Sequence, residues 1–158
     1  MTAFVEVLRV HDRSLRAMVW SVVRDADAID DVLQAAYEKA FRSLEQFDGR
    51  SQMSTWLHSI CYRAAIDHSR YEGRRRHDDL DSVRGVAASA AVDDQALAGV
   101  EFATVMNQLD RDQRVALMLT AGLGYSFDDA AEITGMRRGT LASKASRARK
   151  TLARWEHA

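Results

Sequence analysis

The sequence predicts an all-α protein built as two small helical bodies joined by a flexible linker. Proline is absent and only eight of the 158 residues are glycine, so helices can run uninterrupted and hairpin turn chemistry is scarce. Apolar residues recur at steps of three and four through most of the chain. The run from Asp78 to Asp94 drops that pattern and is acidic, with Ala, Ser and Val filling the rest, as a tether would be. These shifts divide the chain into residues 1–76, a linker over 77–95, and residues 96–158.

Residues 3–24 read as one helix or two short ones, with Leu15, Met18, Val19 and Val22 on one face and Arg9, Arg13, Arg16 and Arg24 flanking them. A second helix is expected to open near Asp27 as N-cap and to bury Ile29, Val32, Leu33, Ala36, Ala40, Phe41 and Leu44. It stops before Gln46, and Asp48-Gly49 signals a turn. Ser51 or Ser54 can cap a third helix, whose apolar side is Trp56, Leu57, Ile60, Cys61 and Ala64. Tyr62, Arg63, Asp67, His68 and Arg70 lie elsewhere around it, and it runs into Arg74-Arg75-Arg76. Beyond the linker, 96–109 is helical again. Asp110 with Gln113 has the capping-box spacing for a further helix that Gly122 and Gly124 end.

The last stretch is helix, tight turn, helix. Ser126 and Asp129 have the spacing of another capping box, Ala130, Ala131 and Ile133 give a small apolar face, and Gly135 suits the turn. Leu141, Ala145, Ala148, Leu152 and Trp155 then form one stripe. Gly139, Thr140, Ser143, Ser146, Arg147 and Lys150 fall opposite it. From Arg137 to Arg154 there are seven basic residues and no acidic one. Short and hydroxylated side chains framed by Arg and Lys suit a DNA major groove, where phosphates are neutralised and base edges are read. The net charge of −1 does not contradict this, because residues 106–158 carry nine basic side chains against six acidic, while the middle of the chain is acidic.

A single cysteine, Cys61, leaves no internal disulfide framework and reads as an inert core thiol in a reducing compartment. No apolar run approaches a membrane span and no signal-peptide pattern opens the chain, so a soluble, cytoplasmic protein without membrane insertion is expected. His11, His58, His68, His77 and His157 form no HExxH or CxxC-like spacing. No Gly-rich phosphate loop or GxSxG is present, so no enzyme, metal or cofactor is expected.

Taken together, the two halves resemble the extracytoplasmic-function (ECF) group of bacterial sigma-70 factors. The N-terminal resemblance lies in Asp30-Asp31-Val32-Leu33-Gln34, Ala40-Phe41, Phe47-Asp48, Ser54-Thr55-Trp56-Leu57, Ile60 and Asp67-His68-Ser69-Arg70. The C-terminal one lies in Leu109, Gln113-Arg114, Ala131-Glu132-Ile133-Thr134-Gly135, Gly139-Thr140-Leu141 and Ser146-Arg147-Ala148-Arg149-Lys150. The resemblance implies that Asp31, Gln34 and Glu38 dock on core RNA polymerase. It implies that residues 48–70 open and hold the promoter minus-10 element, and that the C-terminal helix-turn-helix reads minus-35 DNA. An anti-sigma factor is the implied regulatory partner.

Holding a melted strand needs aromatic faces and backbone-neutralising charge, which Trp56, Tyr62, Arg63, His68 and Arg70 offer. Trp56 also lies on the apolar stripe, where a core role competes. At the other end Arg138, Thr140, Ser143 and Arg147 are the candidates for base or near-base contact, and Arg137 and Lys144 for phosphate. The chain departs from the family pattern at Tyr62-Arg63, Gln34-Ala35, Asp110-Arg111-Asp112, Ala142 and Lys144. Two alternatives stand beside the sigma reading. One is a stand-alone helix-turn-helix regulator, which would footprint duplex DNA by itself. The other is a sigma-like scaffold, which would bind partners without initiating.

Overall fold

The computed structural model describes residues 2–78 and 102–156 and is helical throughout its regular elements. The predicted linker therefore lies outside the described residues except at its start, where the third helix continues through Asp78.

Helix α1 (Thr2–Val23) is one unbroken helix. It ends at Arg24, whose φ of 57° is left-handed, so a non-glycine residue makes the reversal into α2 (Ala26–Ser43). The N-cap of α2 is Asp25 rather than Asp27: the Asp25 carboxylate accepts from the Asp27 amide at 3.0 Å. Asp27 instead sits in the first turn, where a carboxylate suits the helix dipole. A short 3₁₀ turn (Leu44–Gln46) follows, and then Gly49 at φ 74° turns the chain as Asp48-Gly49 predicted. The Asp48 side chain accepts from the Arg50 amide at 3.0 Å. Helix α3 (Met53–Asp78) starts after Gln52, which leaves Ser51 outside it and Ser54 already within its first turn.

These helices form a bundle with each packed on the other two. Its centre is Leu15, Met18, Val19, Leu33, Ala36, Leu57 and Cys61, all at most 2% exposed. Burial pushes the Cys61 thiol up to about 12, as expected of an inert core cysteine. Phe41, placed by its spacing in the core, lies instead half out of it at 51% exposure, its ring 6.1 Å from that of Phe4.

After a helical segment over 102–107, α4 (Arg111–Leu117) opens with the predicted reciprocal box. The Asp110 carboxylate accepts from the Gln113 amide at 2.8 Å, and the Gln113 side chain accepts from the Asp110 amide at 3.0 Å. A π turn (Met118–Gly122) then widens the coil, and Leu123 N donates to Met118 O at 2.8 Å. Helix α5 (Phe127–Thr134) is capped by Ser126, whose Oγ accepts from the Asp129 amide at 3.0 Å. The Asp129 carboxylate does not reach back to the Ser126 backbone, because it accepts the Ser126 hydroxyl proton at 2.8 Å instead. Gly135 closes α5 at φ 74°. Helix α6 (Arg138–Glu156) buries Leu141, Ala145 and Ala148. The predicted stripe fades at its end: Leu152 is only partly buried, and Trp155 is 38% exposed because the last turn runs past the packed elements.

The two halves are clasped rather than separate. One apolar core runs from Leu15, Met18 and Ile60 through Val115, Ala116, Leu119 and Ile133 to Leu141. Helix α1 packs on α4, and α3 on α5. Two arginines cross the seam in opposite senses. Arg114 of α4 donates from Nε to Ser21 O at 3.0 Å and from Nη1 to Leu109 O at 2.6 Å. Ser21 is in the last turn of α1, where carbonyls lack helical partners, so Arg114 caps that helix from outside. Arg24 reaches the other way, donating to Ala103 O at 3.2 Å and to the Asn107 side chain. It lies 4.0 Å above the Trp20 ring, which stacks on Phe102. Burial pushes both guanidiniums below the usual arginine range, and Arg114 adds to the effect on Arg24 by repulsion.

Candidate nucleic-acid interface

The turn at Gly135 sets α6 so that its apolar stripe faces α4 and α5. The opposite side is uncovered: Arg137, Arg138, Gly139, Thr140, Ser143, Ser146, Arg147 and Lys150 are all exposed. Two basic residues there are already engaged. Arg138 meets Asp128 at 3.1 Å and its guanidinium lies 5.8 Å from the Phe127 ring, which fastens the start of α6 to the start of α5. Lys144, predicted on phosphate, is half-buried and donates to Asp110 at 3.0 Å. Burial opposes charge on Asp110, but the Gln113 amide and Lys144 overcome it and hold that carboxyl below its usual range. Lys144 thus ties α6 to the cap of α4. Arg137, Arg147 and Lys150 have no such partner among the described ion pairs.

On α3 the candidates divide. Arg63 and Arg70 are exposed, and His68 is half-buried. Tyr62 is only 8% exposed, contrary to its expected position away from the core, because the C-terminal half lies against that side of α3. Burial, then the Asp112 charge, raises the Tyr62 phenol above its ordinary range. A cavity of about 250 Å³ opens beside it, with Tyr62, Arg63, Asp67 and Arg70 on one wall and Arg111 and Thr134 on the other. Trp56 is part core and part surface: it packs against the buried cluster with its ring 5.2 Å from Phe47, beside the Asp48-Gly49 turn. The Arg74-Arg75-Arg76 run is exposed on the last turns of α3.

On α2, Asp31, Gln34 and Glu38 are exposed and share one face, and Phe41 lies on the same side one turn further on. Asp30 is not free like its neighbour, since Arg16 bridges it at 2.6 Å and Asp12 at 2.7 Å. Periodicity alone put Phe41 inside. The seam roles of Arg24 and Arg114 have no local signature in the sequence, because their partners are distant backbone and side-chain groups. The feature that could have been read was Arg24 at the very end of an apolar helix.

An uncovered basic recognition helix on a helix-turn-helix, with a second arginine-bearing helix in the other half, defines a DNA-reading protein. Comparison with known proteins makes this specific. Residues 7–75 match the Sigma-70 region 2 family and residues 100–152 the Sigma-70 region 4 family. The chain is 34% identical to the ECF RNA polymerase sigma factor EcfG of Rhodopseudomonas palustris, over 88% of this chain and 77% of that protein. It is 32% identical to the ECF sigma factor SigM of Mycobacterium tuberculosis, over 96% of this chain and 76% of that protein. Among solved structures it is similar to the sigma factor RpoE of Bartonella quintana in complex with the anti-sigma factor NepR. That match has a TM-score of 0.81 and 31% identity, covering 96% of this chain and 95% of that one. CnrH, solved with the cytosolic domain of CnrY, shares the fold at a TM-score of 0.73 and 23% identity, covering 99% and 88%. The chain belongs to the sigma-70 family, in its ECF group.

Proposed function

We propose that this ECF sigma factor directs core RNA polymerase to promoters from the cytoplasm, with residues 1–76 and 96–158 as its two working parts. Asp31, Gln34 and Glu38 on α2 form the docking face for polymerase, and Phe41 adds an exposed apolar anchor of the kind that carries interface energy. Arg63 and Arg70 neutralise the backbone at the minus-10 element, with His68 beside them, and Trp56 and Tyr62 supply aromatic faces once the halves part. At minus-35, Arg138, Thr140, Ser143 and Arg147 meet bases or their neighbours and Arg137 meets phosphate. Lys144 serves there by holding α6 to Asp110 and contacts phosphate only if it leaves that partner. An anti-sigma protein is the proposed regulator.

The observation that supports this best is the uncovered, acid-free face of α6 opposite a fully buried Leu141–Ala145–Ala148 stripe. Run-off transcription with purified core polymerase tests it. A promoter-dependent transcript is expected. A protein that footprints duplex DNA alone and yields none is a stand-alone regulator, and one that binds core without a transcript is a scaffold.

A further inference from the structure

His58 is the most deeply buried titratable ring in the described residues, at 1% exposure, and it stands where the two halves meet. Its Nδ1 lies 2.7 Å from Ser54 O, an acceptor only, so the neutral ring carries its proton on Nδ1. The same nitrogen lies 3.0 Å from the Tyr125 hydroxyl, in the loop between the π turn and α5. The rings meet edge to face at 5.2 Å. Tyr125 is brought there by the π turn, since its amide donates to Leu119 O at 2.9 Å. On the other side of His58, the buried Nε2 has no hydrogen-bond partner, and the His11 ring of α1 stands edge-on at 6.5 Å.

We propose that His58 and Tyr125 form a proton-sensitive latch: neutral His58 holds the C-terminal half closed over α3, and protonation of the ring releases it. A second proton must go to Nε2, which creates a cation in a buried site where that atom makes no hydrogen bond in the closed chain. The titratable groups facing the latch are His11 from α1 and, beyond Tyr125, Asp129 from the start of α5. Burial, chiefly, pushes the His58 imidazole below its usual range. His11 acts in the same direction, and the backbone carbonyls of Ser54 and Ser14 act against it. The closed chain therefore binds fewer protons at His58 than the open chain. Closure is complete above the ordinary imidazole value and is lost as pH falls below it. Because α5 and α3 pack on each other beside Tyr62, release uncovers that ring as well. The latch stands on the packing alone. Only its consequence for promoter opening rests on the proposed function.

Intrachain energy transfer on the full chain tests it, with dyes on Lys39→Cys and Arg149→Cys; both sites are exposed, and Cys61 is buried. The closed-to-open ratio is expected to fall by up to about tenfold per pH unit below about pH 6.5. His58→Phe should abolish that pH dependence and stay closed. Tyr125→Phe should shift the ratio toward open at every pH while keeping the titration. Opening of His58→Phe at the wild-type midpoint overturns the latch, and so does a wild-type chain that stays closed to pH 5.5. The imidazole resonance of His58 in the unsubstituted chain provides a readout that needs no variant. Its midpoint must coincide with opening, and a separation between the two also overturns the proposal. Neither readout involves transcription, so failure of the latch and failure of the sigma reading are told apart.

Discussion

Replacing Arg114 with Met removes one of the two seam arginines while keeping most of its stem. Its guanidinium makes two bonds to backbone carbonyls, to Ser21 O across the seam and to Leu109 O within its own half. A hydrogen bond to a charged group is worth about 1.5–3 kcal/mol net when buried, and this group is only half-buried, so the lower end applies to each. Part of the loss is recovered because a methionine needs no partner and the repulsion on Arg24 disappears. The expected cost is about 2 kcal/mol of unfolding free energy. Urea unfolding followed by tryptophan fluorescence, to which Trp20 at the seam contributes with Trp56 and Trp155, reads it. At a slope of about 2 kcal/mol/M the midpoint falls by about 1 M. Arg111→Met is the control, since among the described residues the ion pair of Arg111 is a 4.0 Å contact with Asp112 at the surface, and it should shift the midpoint very little. Equal midpoints for Arg114→Met and the wild type would refute the view that this residue holds the halves together.

Asp110→Ala removes the capping box and the Lys144 partner together and should cost about 1–2 kcal/mol at neutral pH in a urea melt. Because the Asp110 carboxyl titrates lower folded than unfolded, its contribution is present above the unfolded value and is lost as pH falls through the folded one. The variant and the wild type should therefore converge in acid. Gly135→Ala has open space for its methyl group, so the left-handed φ of 74° is the whole penalty. A cost of about 1 kcal/mol, or roughly 2–4 °C in melting temperature, is expected by calorimetry. Arg147→Ala should weaken holoenzyme binding to a minus-35 element and lower the slope of log affinity on log salt by about one, read by filter binding over a salt series.

Local signals in the sequence carried the helices well. The Asp110–Gln113 box, the Gly49 and Gly135 turns and the Leu141–Ala145–Ala148 stripe all depend on neighbours within a few residues, and all are present. The differences come from one unforeseen local turn and from partners far along the chain. Asp25 rather than Asp27 caps α2 because Arg24 takes the left-handed turn just before it, and no propensity foretells that of an arginine. Tyr62 lay on the polar side of its own helix and is buried by the other half. Phe41 lay on the apolar side and is half-exposed, with its ring against that of Phe4 at the edge of the bundle. Lys144 belongs to a basic run, yet its ammonium is taken by Asp110, a residue whose helix-capping role was visible but whose second bond was not.

The clasp and the proposed promoter contacts cannot hold at once. Elements named minus-10 and minus-35 lie about 25 base pairs apart, or about 85 Å at ~3.4 Å per pair. The described residues share one core, and a compact body of their size has a radius of gyration of about 14 Å. A closed chain can therefore place α6 on one element or α3 on the other, but not both. Opening exposes the Ser21 carbonyl, the Arg24 guanidinium and the apolar surface of Val115, Leu119 and Ile133 to water, and that cost must be met by contacts made only in the open form. On the proposed reading, promoter DNA can reach the exposed face of α6 even in the closed chain, so by itself it would discriminate weakly between the two states. On the proposed docking, polymerase meets α2 on a face that is exposed in the closed chain, and so would have to favour opening through contacts beyond Asp31, Gln34 and Glu38. The surfaces buried in the seam, uncovered only when the halves separate, are where those further contacts have to fall.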